Sequence, residues 1–147
     1  MNPQTGIILS ITVLLGMLAV SEADNVPPIE GTWLSGDGDG WIRITVAGDR
    51  LSGVIKGSPN ADDERPDRDE ENPDPALRDR SLTGLELFEN FAYDGDGRWT
   101  GGTIYDPNSG KTYRAIITQV DDDTLKVRGY IGVPMLGRTE TWTRVSD

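Results

Sequence analysis

Beyond residue 24 the chain alternates between short runs with an apolar side chain at every second position and clusters of Gly, Asp, Asn or Pro. A period of two, interrupted by turn residues, predicts β-strands joined by tight turns. In the run 41–46, Ile42, Ile44 and Val46 share one face while Trp41, Arg43 and Thr45 share the other. The pattern predicts eight strands, over 29–34, 41–46, 50–56, 85–93, 98–105, 111–120, 124–132 and 138–145. All but one of the gaps between them are three to six residues long, too short for the crossovers that parallel pairing needs. The expected fold is therefore all-β, an antiparallel meander. An eight-stranded up-and-down barrel closes such a meander without leaving a sheet edge exposed; a two-sheet sandwich is the alternative. Gly101-Gly102, inside the fifth run, suits the bulge or sharp bend that closure requires.

Two stretches depart from this rhythm. The first, Gly6 to Val20, is a run of 15 uncharged, mostly apolar residues, shorter than the roughly 20 a membrane-spanning helix needs. It matches the core of a secretory signal, and Ser21-Glu22-Ala23 places small residues at the positions that flank a cleavage site. The expectation is a signal peptide over 1–23 and a single mature domain over 24–147, periplasmic or secreted from a Gram-negative-type bacterium and without stable membrane insertion after cleavage. The second stretch, 57–80, carries nine acids, four Arg and four Pro in 24 residues. It lacks the apolar surface to fold alone and reads as a long solvated acidic loop, dispensable over 58–71. At its end Asp74 can cap one helical turn that starts at Pro75.

Charge and composition narrow the chemistry. Lys plus Arg number 14 against 25 Asp plus Glu, a net charge of −11, which argues against nucleic acid as a partner. The chain contains no Cys and no His, so disulfides, thiol nucleophiles, Cys/His metal sites and every His-dependent triad are excluded. Carboxylate pairs and Ser-Lys dyads remain. Ser109 and Lys111 lie close in sequence but in a turn, and Glu86, Glu89 and Asp106 show no diagnostic spacing. No catalytic residue, metal ligand or cofactor is assigned. The Asp-Gly-Asp-Gly tetrads at Asp37 and Asp94 resemble calcium loops only superficially. The later ligand positions fall on Trp41 and Gly48 in one and on Arg98 and Tyr105 in the other, so both read as hairpin turns.

Several short motifs follow one another along the chain: Gly31-x-Trp33, Gly40-Trp41-Ile42-Arg43-Ile44, Asn72-Pro73-Asp74-x-x-Leu77-Arg78-x-Arg80, Trp99-x-Gly101-Gly102-x-Ile104-Tyr105-Asp106-Pro107-x-x-Gly110-Lys111, and Leu136-Gly137-Arg138-Thr139-x-x-Trp142-x-Arg144. In this arrangement the mature chain resembles a family of small exported bacterial proteins, domain of unknown function 2147, which is similar to the calycins, the lipocalin-like ligand-binding barrels. The acidic stretch before Asn72 is longer and more charged than that pattern needs. The resemblance implies a barrel whose Trp33, behind Gly31, plugs one end beneath an Arg of the last strand. Arg138 and Arg144 share a face with Trp142, and Arg138 is the expected partner if the start of the last strand lies beside the end of the first. Asn72, Asp74 and Arg78 then form either a capped turn or a polar cluster at the mouth. Tyr105, Tyr113, Arg128 and Tyr130 are the candidate ligand-binding groups, provided that they face a lumen and that the lumen is not fully packed. The expected function is non-enzymatic binding of a small amphipathic or hydrophobic molecule in the cell envelope. An envelope interaction module, or less readily a carboxylate hydrolase, stands as the alternative.

Overall fold

The computed structural model describes residues 28–60 and 67–146, together with Gly16. The expected signal peptide (1–23), apart from Gly16, and part of the acidic stretch (61–66) lie outside the described residues. Alternation of apolar and polar side chains becomes alternation of burial: in β2 (Trp41–Ala47) Ile42 and Ile44 are buried while Trp41 and Thr45 are exposed. The same parity holds in β7 (Lys111–Asp121), where Ala115 and Ile117 point inward, and in β8 (Thr124–Tyr130), where Leu125 and Val127 do.

The remaining strands are β1 (Gly31–Leu34), β3 (Arg50–Gly57), β4 (Glu86–Gly95), β5 (Arg98–Thr100), β6 (Thr103–Asp106) and β9 (Arg138–Arg144). Every pairing among them is antiparallel, in the order β3-β2-β1-β9-β8-β7-β5-β4, and β3 pairs with β4 to close the ring. β5 and β6 are the two halves of the predicted fifth strand; both pair with β4 and β7. They break apart at Gly101-Gly102, where Gly101 has φ +84°. The result is an eight-stave, closed antiparallel barrel, as the turn spacing predicts. The turn between β4 and β5 centres on Asp96 (φ 54°) and Gly97 (φ 72°), the twist that suits a tight hairpin. β4 also carries extra residues opposite β3, with Asn90 at φ 66°, and such bulges curl a sheet.

The interior divides into two halves. One is filled by completely buried side chains, including Trp33, Ile44, Leu51, Phe91, Trp99 and Ile117. Phe88 stands edge-on to Phe91, with ring centroids 5.6 Å apart. The other half, at the end bearing the β1–β2, β3–β4, β6–β7 and β8–β9 connections, is hollow.

Candidate functional site

The packed end is sealed by Trp33. Its indole N–H donates to the Ile29 carbonyl at 3.0 Å, and a guanidinium lies over the ring at 4.3 Å. That guanidinium belongs to Arg144, which corrects the expectation of Arg138. β1 is only four residues long and pairs with the far end of β9, Trp33 opposite Arg144 and Leu34 opposite Thr143. Arg138 lies six residues further along β9, about 20 Å away at the opposite end of the barrel. Arg144 donates to the carbonyls of Asp122 (2.6 Å), Glu30 (2.8 Å) and Pro28 (2.7 Å). It thereby ties the lead-in to β1 to the β7–β8 turn. Gly31 (φ +146°) leaves room for this: a Cβ there would collide with the Arg144 guanidinium.

At the open end a cavity of about 460 Å³ penetrates the barrel. Ile42, Ile55, Leu87, Ile104, Val127 and Trp142 form its apolar walls, and Tyr113 projects from β7 into the same lining. Polar groups crowd the rim: Asp37 and Asp39 from the β1–β2 loop, Asp106 from the end of β6, Asn108 from the β6–β7 turn, and Arg138 and Glu140 from β9. Asn108 Nδ2 reaches Asp37 Oδ2 at 3.2 Å, joining two loops across the mouth. The first Asp-Gly tetrad is a turn, with Asp37 accepting from the Ser35 hydroxyl at 2.6 Å and from the Asp39 amide at 3.1 Å.

Of the four candidate ligand-binding residues, Tyr105 and Tyr113 line the cavity. Arg128 and Tyr130 do not, because Leu125, Val127 and Gly129 take the inward positions of β8. Arg128 instead holds the β8–β9 connection from outside, donating to Pro134 O at 2.8 Å and Thr139 Oγ1 at 2.8 Å. Arg138 and Trp142, expected to be structural, are both lining residues. Ser109 donates to Asp106 Oδ2 at 2.7 Å and accepts from the Lys111 amide, so its hydroxyl organises a turn.

A polar cluster missed in the sequence anchors one wall of the mouth. Asp69 lies in the acidic stretch read as solvated, yet it is completely buried. It accepts from the Tyr105 hydroxyl at 2.5 Å, Asn72 Nδ2 at 2.8 Å and Arg80 Nε at 2.8 Å. Burial pushes its pKa up, but the bonds from Tyr105, Asn72 and Arg80 and the charge of Arg80 outweigh that and hold it below the usual 3.8. Burial, followed by the bond to and charge of Asp69, pushes Tyr105 up to about 12. Arg68 and Ser81 pair across the loop, Asn72 Oδ1 accepts from the Asp74 amide at 2.9 Å, and Arg78 Nε donates to Asn72 O at 2.8 Å. Asp74 caps the predicted turn, a 3-10 helix over Pro75–Leu77, by accepting from the Ala76 amide. The stretch 67–85 is thus a folded flap pinned to β6 through the buried Asp69 and Asn72, while most of its other residues stay exposed. Gly110 lets it settle: a Cβ there would run into the Glu71 carbonyl.

A closed antiparallel barrel, plugged at one end by a Trp under an Arg and hollow at the other, is a lipocalin-like fold. The chain belongs to the bacterial family described as "Uncharacterized protein conserved in bacteria (DUF2147)", which matches residues 31–144. It is similar to a solved structure from Helicobacter pylori described as "Protein HP1028 from the human pathogen Helicobacter pylori belongs to the lipocalin family". The TM-score is 0.71 and the identity 23%, covering 80% of this chain and 83% of that one; at this identity the likeness speaks to the fold. None of the curated proteins matches the chain.

Proposed function

We propose that the protein is an exported, non-enzymatic lipocalin-like binder that holds a small amphipathic molecule in the cell envelope. The observation that carries this reading is the half-hollow interior. A barrel serving only as a scaffold gains stability by filling its core to close-packed density, whereas this one packs its plugged end and leaves about 460 Å³ open at the other. That volume lies within the usual range for small-molecule sites, and apolar walls beneath a polar rim suit an amphipathic guest. Export is supported by the uncharged run ending in Ser21-x-Ala23, and the described fold of a lipocalin-family neighbour adds to the binding reading. Native mass spectrometry of protein recovered from the envelope fraction tests both parts. The expected species begins at Asp24 and carries a co-purifying molecule; a chain starting at Met1 in the cytoplasm would sink the export claim.

A second reading, an envelope interaction module, rests on the β8–β9 connection. Ile131, Val133, Met135 and Leu136 are all exposed there, Met135 at 89%. Side chains this apolar on one loop beside the mouth suit a contact surface. Pull-down of one envelope protein, lost on Met135→Ser with Leu136→Ser, supports it; no such loss opposes it.

A further inference from the structure

The rim of the cavity carries a charge pattern that amphipathic binding alone does not explain. Among the described residues, Asp37, Asp39, Asp67, Asp106 and Glu140 line it against one cation, Arg138. Among the described residues, the side-chain donors to these carboxylates are neutral: Ser35 and Asn108 to Asp37, Asn60 to Asp39, Ser109 to Asp106, and the Trp142 indole to Glu140. The ion pairs among those residues lie elsewhere, on Asp49, Asp69 and Asp123. Among the described residues, the negative charge at the mouth is therefore organised by neutral donors and enters no ion pair. Low-dielectric walls focus such a field into the cavity rather than letting it spread.

Glu140 stands on the same face of β9 as the buried Trp142. It is half-buried on the inner face of β9, packed beneath Gly36, and two residues from the buried Trp142. Trp142 and Tyr113 give the cavity aromatic lining, and the Trp142 indole N–H reaches Glu140 Oε2 at 3.2 Å. Aromatic faces beside a carboxylate recognise an ammonium group, whose charge both attract. An anionic amphiphile meets the reverse: five like charges, one exposed Arg138, and a chain of net charge −11.

We propose that the cavity selects a cationic amphiphile, with an alkyl or aryl body between the apolar walls and an amine or quaternary ammonium group at the Glu140 rim. This rests on the small-molecule reading above and narrows it to one ligand class.

Three ten-carbon compounds, decyltrimethylammonium, decanol and decanoate, are compared for displacement of the neutral fluorophore N-phenyl-1-naphthylamine from the purified protein. At low salt the cation should bind about tenfold or more tighter than decanoate, and the gap should shrink in high salt. Glu140→Gln should weaken the cation several-fold and leave decanol unchanged. Arg138→Gln removes an exposed side chain and leaves the barrel intact; it should tighten the cation. Decanoate binding as well as the cation overturns the selectivity while leaving the small-molecule reading in place, because the fluorophore is still bound. A cation preference that neither substitution moves also overturns it, since overall charge would then be its source. Failure of the fluorophore and all three compounds to bind overturns both readings.

Discussion

Replacing Arg144 by Ala should cost about 3 kcal/mol of stability. The guanidinium stacked on Trp33 contributes about 1 kcal/mol, and up to about 2 where water is excluded. Its three hydrogen bonds to carbonyls are charge-assisted, but the side chain retains 23% exposure, so water can replace part of each; about 0.7 kcal/mol apiece is a fair allowance. For a domain of this size, 3 kcal/mol lowers Tm by roughly 10 °C. Arg138→Ala is the control. It is exposed and its side chain donates no hydrogen bond to the described residues, so it should change stability by less than about 0.5 kcal/mol. Urea unfolding of the two single variants, of Trp33→Leu, and of Trp33→Leu with Arg144→Ala completes a double-mutant cycle. Coupling of about 1 kcal/mol is expected between residues in direct contact. Additivity within about 0.3 kcal/mol, or an Arg138→Ala variant as unstable as Arg144→Ala, would refute the plugged-end argument.

Asp69→Asn should destabilise the fold by about 2–3 kcal/mol, since it leaves Arg80 and Tyr105 with a weakened buried acceptor; little change in chemical denaturation would show that the flap is not anchored there. Because Asp69 is held below 3.8 when folded, its contribution is present above that pH and is lost as pH falls through the lower folded value. Tyr105, raised from 10 to about 12, contributes stability that is complete below pH 10 and lost as pH rises toward 12, so Tyr105→Phe should lack the alkaline decline that the parent shows. Gly53→Ala should lower stability by about 1–3 kcal/mol, because a Cβ there would enter the Phe88 ring; a melting point equal to the parent's would contradict that packing.

The strands were readable because their information is local. Period-two patterning and turn chemistry act over a few residues, and the bend at Gly101-Gly102 needs only the absence of two side chains. The partner of Trp33 was not local. Which Arg faces it depends on the stagger between the first and last strands, and that stagger is set by the whole ring closing with a four-residue β1. Arg128 and Tyr130 were different: Leu125 and Val127 already claimed the inward face, so parity placed both outside. Asp69 was concealed by company. Among nine acids in 24 residues, nothing local marks the one that a Tyr 36 positions later will bury. The one hint was indirect: it stands three residues before the Asn72-to-Arg80 motif, whose Asn and Arg become its partners. The cavity was not legible, because whether a lumen fills depends on side chains brought together from every strand.

The most direct test of the central claim is titration of N-phenyl-1-naphthylamine fluorescence against the protein and a Gly129→Phe variant. Gly129 faces the cavity, has no positive φ, and a Cβ there would meet Tyr113 at an ordinary 3.5 Å, so a ring can enter the space without straining the backbone. Saturable, stoichiometric uptake by the parent, abolished in a folded Gly129→Phe variant, is the predicted result. Equal uptake by the filled barrel, or none by the parent, would contradict the claim that this end of the barrel holds a small molecule.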